Sequence, residues 1–148
     1  MLAGEGPAAT RLRRALPPAV RARVHLPGRV DERVLHALYE RADVFVHPTR
    51  YEGSSLVTLE AMAHGRAVVA TRAGGIPDKV TDGLTGRLVA PGDRDALAGA
   101  LEEVAADAAR RMAMGAAARG RVQAEFSWPV LIDRTLALYE ELRREARR

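Results

Sequence analysis

Two glutamates frame the stretch of this sequence richest in chemistry. Residues 48–65 read PTRYEGSSLVTLEAMAHG, with Glu52 and Glu60 on either side of a seven-residue spacer. The pattern predicts a helix from about Ser54 to His64, on which Leu56, Val57, Leu59, Ala61, Met62 and Ala63 go nearly all the way round. A helix apolar on every side is a buried one. Glu60 lies in angle between Leu56 and Val57, and a buried carboxylate needs compensation. The plain source would be a salt bridge to an arginine. The start of the helix offers another use. Gly53-Ser54-Ser55 would present backbone N–H groups at the positive end of the helix dipole, which makes an anion site, although a serine there is also an ordinary N-cap. Ser55 and Glu60 are roughly 7.5 Å apart along a helix, comparable to the span from a nucleotide's distal phosphate to its ribose hydroxyls. One helix would then hold a diphosphate on its amides and a ribose diol on Glu60. Glu52, just before the helix, would face whatever the phosphate carries.

The elements that must position this segment alternate in type. Met1-Leu2-Ala3 reads as the end of a strand, Gly4-Glu5-Gly6-Pro7 as a turn, and a basic helix follows to about Leu16. RVHL (23–26) is a short predicted strand ended by Pro27-Gly28, and Asp31 is placed to cap a helix carrying Val34, Leu35, Leu38 and Tyr39. DVFVH (43–47), AVVAT (67–71) and GRLVA (86–90) are further strands, and a short helix is expected at Pro77–Thr81. From Asp93 the pattern is helical, with breaks near Asp107 and at Phe126-Ser127-Trp128-Pro129; Ser127 would cap the last helix, 128–146. Short strands alternating with helices imply an α/β domain, a parallel sheet covered on both faces. Ligands of such sheets bind at the carboxyl ends of the strands. The loops at 4–7, 27–31, 48–55 and 72–77 are therefore the ones that matter.

Composition removes several classes. The chain has 148 residues and no cysteine, which suits one domain, 1–148, and excludes a disulfide scaffold, a thiolate metal site and a cysteine nucleophile. The first twenty residues hold no long apolar run, and no window matches a membrane span; the expectation is a soluble, cytoplasmic protein. The net charge is +4 and Lys79 is the sole lysine. Basic and acidic residues are interspersed, so no nucleic-acid partner is expected. Asp93-Arg94-Asp95 has the spacing of a metal-binding acidic pair, but it follows Pro91-Gly92 and precedes a helix, where a cap is the simpler reading. No metal or cofactor is expected. His47 reads as structural or loop-facing. Arg110, Arg111, Arg119 and Arg121 read as the solvated face of an alanine-rich helix. No serine, histidine and acid arrangement for nucleophilic catalysis is evident.

The segment P-T-R-Y-E-G-S-S-L-V-T-L-E-A-M-A-H-G resembles the paired-glutamate signature of the retaining GT-B glycosyltransferases, group 1 or family 4. R-V-H-L-P-G-R-V, A-D-V-F-V-H-P, A-V-V-A-T-R-A-G-G-I-P, D-G-L-T-G-R-L-V-A-P-G-D and F-S-W stand in that family's order, and the resemblance runs from residue 1 to about residue 143. It implies a Rossmann-like fold, the C-terminal, donor-binding half of a GT-B enzyme lacking its first strand and helix. It implies metal-free transfer of a sugar from a nucleotide diphosphate sugar, with retention. By the same resemblance Glu60 holds the ribose hydroxyls, and the amides of Leu56 and Val57 bind the diphosphate. Glu52 and the backbone at Ser54 and Ser55 meet the sugar, with Glu52 the catalytic-site residue but not a covalent nucleophile. The backbone at Arg29 and Val30 meets the base.

Two departures stand out. Gly53-Ser54-Ser55 replaces a common Gly-Phe-Gly, which leaves the sugar open, and Asp78 stands where glutamate usually follows Gly-Gly-x-Pro. The resemblance also implies a missing N-terminal domain, in cis or in trans, through which any peripheral membrane contact would be made. That missing part would carry an arginine and lysine for the diphosphate, so the chain alone is expected to be inactive and marginally stable. The alternatives are a non-catalytic nucleotide-sugar-binding fragment completed by a partner chain, a sugar-nucleotide epimerase half, and a flavodoxin-like regulatory domain.

Overall fold

A computed structural model describes residues 1–147 and divides the chain into two compact units, Met1–Arg41 and Ala42–Arg148. The first unit contains α1 (Ala8–Ala15), α2 (Pro18–Arg21) and α3 (Glu32–Arg41). Asp31 caps α3 as its sequence position suggests, its Oδ1 accepting from the Val34 amide at 2.8 Å. The expected strand at 23–26 does not form. The amides of Arg23 and Val24 close turns onto Val20 and Arg21, and the segment is tied instead by the Leu2–His25 and Gly4–Gly28 hydrogen bonds, a bridge between Ala3 and Gly28, and Arg13 on the Leu26 carbonyl. The turn that ends α2 uses the donors at positions 23 and 24.

The second unit is built on a parallel sheet of β1 (Val44–His47), β2 (Ala67–Thr71) and β3 (Gly86–Val89) in that order. The central strand is buried at all five positions, and its alternate residues face two cores. Val68 and Ala70 pack with Met62, Ile76, Val80, Leu88 and Ala118. Ala67 and Val69 pack on the other side with Val89, Ala100, Val104 and Met114. A parallel strand covered on both faces needs this uninterrupted run of small and β-branched residues. The helices are α4 (Leu56–Ala63), α5 (Arg94–Ala106), α6 (Ala108–Arg121) and α7 (Trp128–Glu145), with a π-helical turn at Val122–Phe126. Asp93 and Asp107 cap α5 and α6 through the amides of Ala96 and Arg110, each at 2.9 Å. Asp93 thus takes the expected capping role. Ser127 occupies the N-cap of α7 without a side-chain cap, and Pro129 lies in the first turn.

Three expectations change here. Pro77–Thr81 forms turns, not a helix. The Val80 amide reaches the Ile76 carbonyl, but the next amide, of Thr81, is taken by Thr85 Oγ1 at 2.8 Å. A hydroxyl that bonds backbone competes with helix propagation. Three arginines of α6 are not simply solvated, while Arg119 is exposed as expected: Arg110 and Arg111 pair with Glu103 at 2.6 Å and Asp43 at 3.6 Å, and Arg121 bonds Thr81 and the Asp78 carbonyl. The helix from Leu56 is not buried all round either. Thr58, Ala61 and Met62 are buried, whereas Leu56 and Val57 are exposed, so the first turn opens outward. Among the described residues no helix is long and apolar enough to cross a membrane.

Candidate functional site

β1 and β2 end side by side, and the loops that leave them are locked together. Thr71 Oγ1 donates to the Thr49 carbonyl at 2.5 Å, and the Gly75 amide donates to the Gly53 carbonyl at 3.0 Å. The approach is too close for side chains. A Cβ on Gly74 would lie 1.5 Å from the Glu52 carbonyl oxygen, and Gly74 has φ of +48°, in the left-handed region. The glycine pair therefore fixes the backbone of Glu52 and Gly53 at the carboxyl edge of the sheet, where parallel α/β sheets place ligands.

Glu52 is half-buried on this edge, its Oε2 3.4 Å from His47 Nε2. The other ring nitrogen of His47 lies 3.0 Å from Ser55 Oγ, which is 2.7 Å from Thr58 Oγ1. Nδ1 also lies 3.3 Å from Thr58 Oγ1, so the ring nitrogen and the two hydroxyls form one hydrogen-bonded cluster beside the Glu52 carboxylate. The structure thus brings serine, histidine and acid together where the sequence showed no such arrangement. It is not a nucleophilic triad. Ser55 is 2% exposed and cannot meet a substrate. The chain fixes the loop instead: His47 at the end of β1 couples Glu52 to the first turn of α4. Ser55 is the N-cap residue of α4, but its side chain makes no capping bond. That correction to the ordinary serine cap follows from its hydroxyl already serving His47 and Thr58.

The remaining candidates fall as follows. Ser54 is exposed, and its Oγ accepts from Lys79 Nζ at 3.0 Å. Leu56 and Val57 begin α4 on its exposed side, and Glu60 is half-buried one turn further on. Glu52, Ser54, Ser55, Leu56, Val57 and Glu60 therefore share one loop and helix of the second unit. Arg29 and Val30 belong to the first unit, Arg29 exposed and Val30 half-buried, just ahead of the Asp31 cap. Asp78 is exposed, with its carbonyl held by Arg121 Nη2 at 3.0 Å. No group of three or more potential metal ligands occurs among the described residues.

Sequence reasoning missed the buried Lys79 and the His47 chain. Each had a signal. Lys79 is the sole lysine, set in the apolar context I-P-D-K-V, and His47 precedes Pro48 at a strand end.

The family model of the glycosyl transferases group 1 matches residues 1–107. The chain belongs to that family. It is 42% identical over 114 residues to an alpha-maltose-1-phosphate synthase of Mycobacterium tuberculosis, covering 73% of this chain and 30% of that protein. It is 38% identical over 141 residues to a GDP-mannose-dependent monoacylated alpha-(1-6)-phosphatidylinositol monomannoside mannosyltransferase of Corynebacterium glutamicum, covering 90% of this chain and 36% of that one. A solved sucrose-phosphate synthase from Thermosynechococcus elongatus superposes with a TM-score of 0.83 at 35% identity, over 94% of this chain and 37% of that one. The α/β arrangement of this family member is thus the Rossmann-like, C-terminal-type domain of the GT-B fold. The chain spans about a third of the length of the relatives it matches.

Proposed function

We propose that this chain is the donor-binding part of an enzyme that moves a sugar from a nucleotide diphosphate sugar to an acceptor, with retention, when joined to an N-terminal acceptor domain. The observation that carries the reading is the placement of Glu52 and Glu60 around the open first turn of α4, on the carboxyl edge of a parallel sheet. The GDP-mannose dependence that gives the Corynebacterium glutamicum relative its name agrees with such a donor. In this reading the amides of Leu56 and Val57 hold the diphosphate, and Glu60 accepts hydrogen bonds from the ribose diol. Glu52 and the backbone of Ser54 and Ser55 meet the sugar. The chemistry is positional and electrostatic. Fixed N–H dipoles stabilise the charge that grows on the departing diphosphate, and they need no reorganisation as it leaves.

The test is calorimetry with UDP, GDP and ADP and with their sugar conjugates, on the wild-type chain and on Glu52→Gln. The variant is expected to keep the nucleoside diphosphate affinity and to lose affinity for the sugar-bearing donor. Equal loss for both ligands would remove Glu52 from the sugar site. Sugar transfer is to be assayed with the same donors once the chain is joined to an acceptor domain. Binding without any transfer in that assembly would favour a non-catalytic nucleotide-sugar-binding module.

A further inference from the structure

Lys79 is the sole lysine of the sequence, and it is 6% exposed. Its ammonium donates to Ser54 Oγ at 3.0 Å and to the Gly75 carbonyl at 3.3 Å. Both acceptors are neutral, and among the described residues Lys79 forms no ion pair with an acid. Lysines are seldom buried without an anionic partner, because a charge removed from water needs compensation. An ammonium has three N–H donors, and two are engaged. The two acceptors lie on the two loops that leave β1 and β2, the loops already joined by the Gly75–Gly53 hydrogen bond. The buried charge therefore sits where those loops meet, immediately ahead of α4.

Ser54 gives this charge a route to a ligand. Its oxygen accepts from Lys79, so its own hydroxyl proton is available to an oxygen outside, and the residue is exposed. We propose that Lys79 is a positioning residue for the anionic part of the donor: it holds the Ser54 hydroxyl as a donor toward the diphosphate and sets behind it a positive charge whose two hydrogen-bond acceptors are neutral. This inference rests on the donor-site reading above. A buried charge is screened less by salt than an exposed one, so its effect on a bound diphosphate persists at ordinary ionic strength. Ser54 and Lys79 act as a pair across the two loops, the hydroxyl as the contact and the ammonium as the charge behind it.

The experiment is calorimetry on the full chain with UDP, GDP and ADP and with the matching nucleosides, for the wild type, Lys79→Met, Lys79→Arg and Ser54→Ala. With the nucleoside diphosphate that binds best, Lys79→Met is expected to weaken binding roughly tenfold or more. Nucleoside affinity should stay within about twofold, since a nucleoside makes no charge-assisted hydrogen bond to this pair. Lys79→Arg should recover part of the loss, and Ser54→Ala should fall in between. Equal losses for nucleoside and diphosphate would mark Lys79 as merely structural and overturn the proposal. So would an unchanged diphosphate affinity in folded Lys79→Met. If Lys79→Met does not fold, Ser54→Ala decides: diphosphate affinity equal to wild type overturns the proposal, and a selective loss supports it. A wild type that binds none of the three diphosphates overturns the donor-site reading itself, and this inference with it. That result is distinct from a wild type that binds while its variants are unaffected.

Discussion

The imidazole of His47 joins Glu52 to the buried start of α4, with Nε2 3.4 Å from the Glu52 carboxylate and Nδ1 3.0 Å from Ser55 Oγ. A side chain at the end of β1 thereby sets the direction of a carboxylate four residues beyond Pro48. His47→Ala removes this support and leaves Ser55 and Thr58 bonded to each other. A hydrogen bond of about 1 kcal/mol net corresponds to roughly fivefold in affinity. The variant is expected to lose about that much for a sugar nucleotide while holding its affinity for the nucleoside diphosphate, both read by calorimetry. A loss shared by the two ligands would show that His47 supports the helix start rather than Glu52.

Glu60 is half-buried on α4, one turn beyond the exposed Leu56 and Val57. If it holds the ribose, Glu60→Ala should weaken nucleoside diphosphate binding by roughly 1.5–3 kcal/mol, the range for a hydrogen bond to a charged group. Wild type should bind the 2′,3′-dideoxy nucleotide more weakly than the parent, and the variant should no longer distinguish them. Equal wild-type affinity for the two nucleotides would remove Glu60 from the ribose site.

Two glycines provide opposite tests of the backbone argument. Gly74 has a positive φ, and a Cβ there would strike the Glu52 carbonyl. Gly74→Ala should destabilise the chain by about 1–3 kcal/mol and displace Glu52, with loss of sugar-nucleotide binding. Gly99 lies within α5, where a Cβ meets nothing within 4 Å. Gly99→Ala should stabilise by roughly 0.5–1 kcal/mol through helix propensity and reduced freedom of the unfolded chain. Urea melts of both variants check the signs, and a Gly74→Ala as stable as wild type would contradict the close apposition of the two loops.

Donor binding is expected to be indifferent to chelators. Asp93, one member of the Asp93-Arg94-Asp95 pair, is committed to the Ala96 amide, and no cluster of potential ligands occurs among the described residues. Titration of the donor with and without EDTA and added magnesium measures this. A magnesium requirement that disappears in Asp95→Ala would show a metal site at the start of α5.

Much of the second unit was legible because local patterns and tertiary packing agree there. The runs V-F-V-H, A-V-V-A-T and G-R-L-V are strands because a parallel sheet covered on both faces accepts unbroken apolar segments. Asp93 here and Asp31 in the first unit are caps, as their positions suggest, because a short carboxylate before a helix meets the third amide of its first turn; Asp107, legible only as a break, is a third. The spacing of Glu52 and Glu60 about a helix start was likewise set by the sequence alone. What depended on distant partners was not legible. Positions 23–26 carry a strand-like pattern, but the turn after α2 captures their first donors. Residues 77–81 look helical until Thr85, four positions beyond Thr81, takes the Thr81 amide. The apolar wheel of α4 suggested burial on all sides, and only the packing shows that its first turn faces out. Lys79 meets Ser54 across 25 positions, and His47 reaches Ser55 across eight. No period or propensity carries those pairings: the first exists only once β1 and β2 lie side by side and bring their loops together, and the second depends on how the loop after β1 turns back onto the strand end.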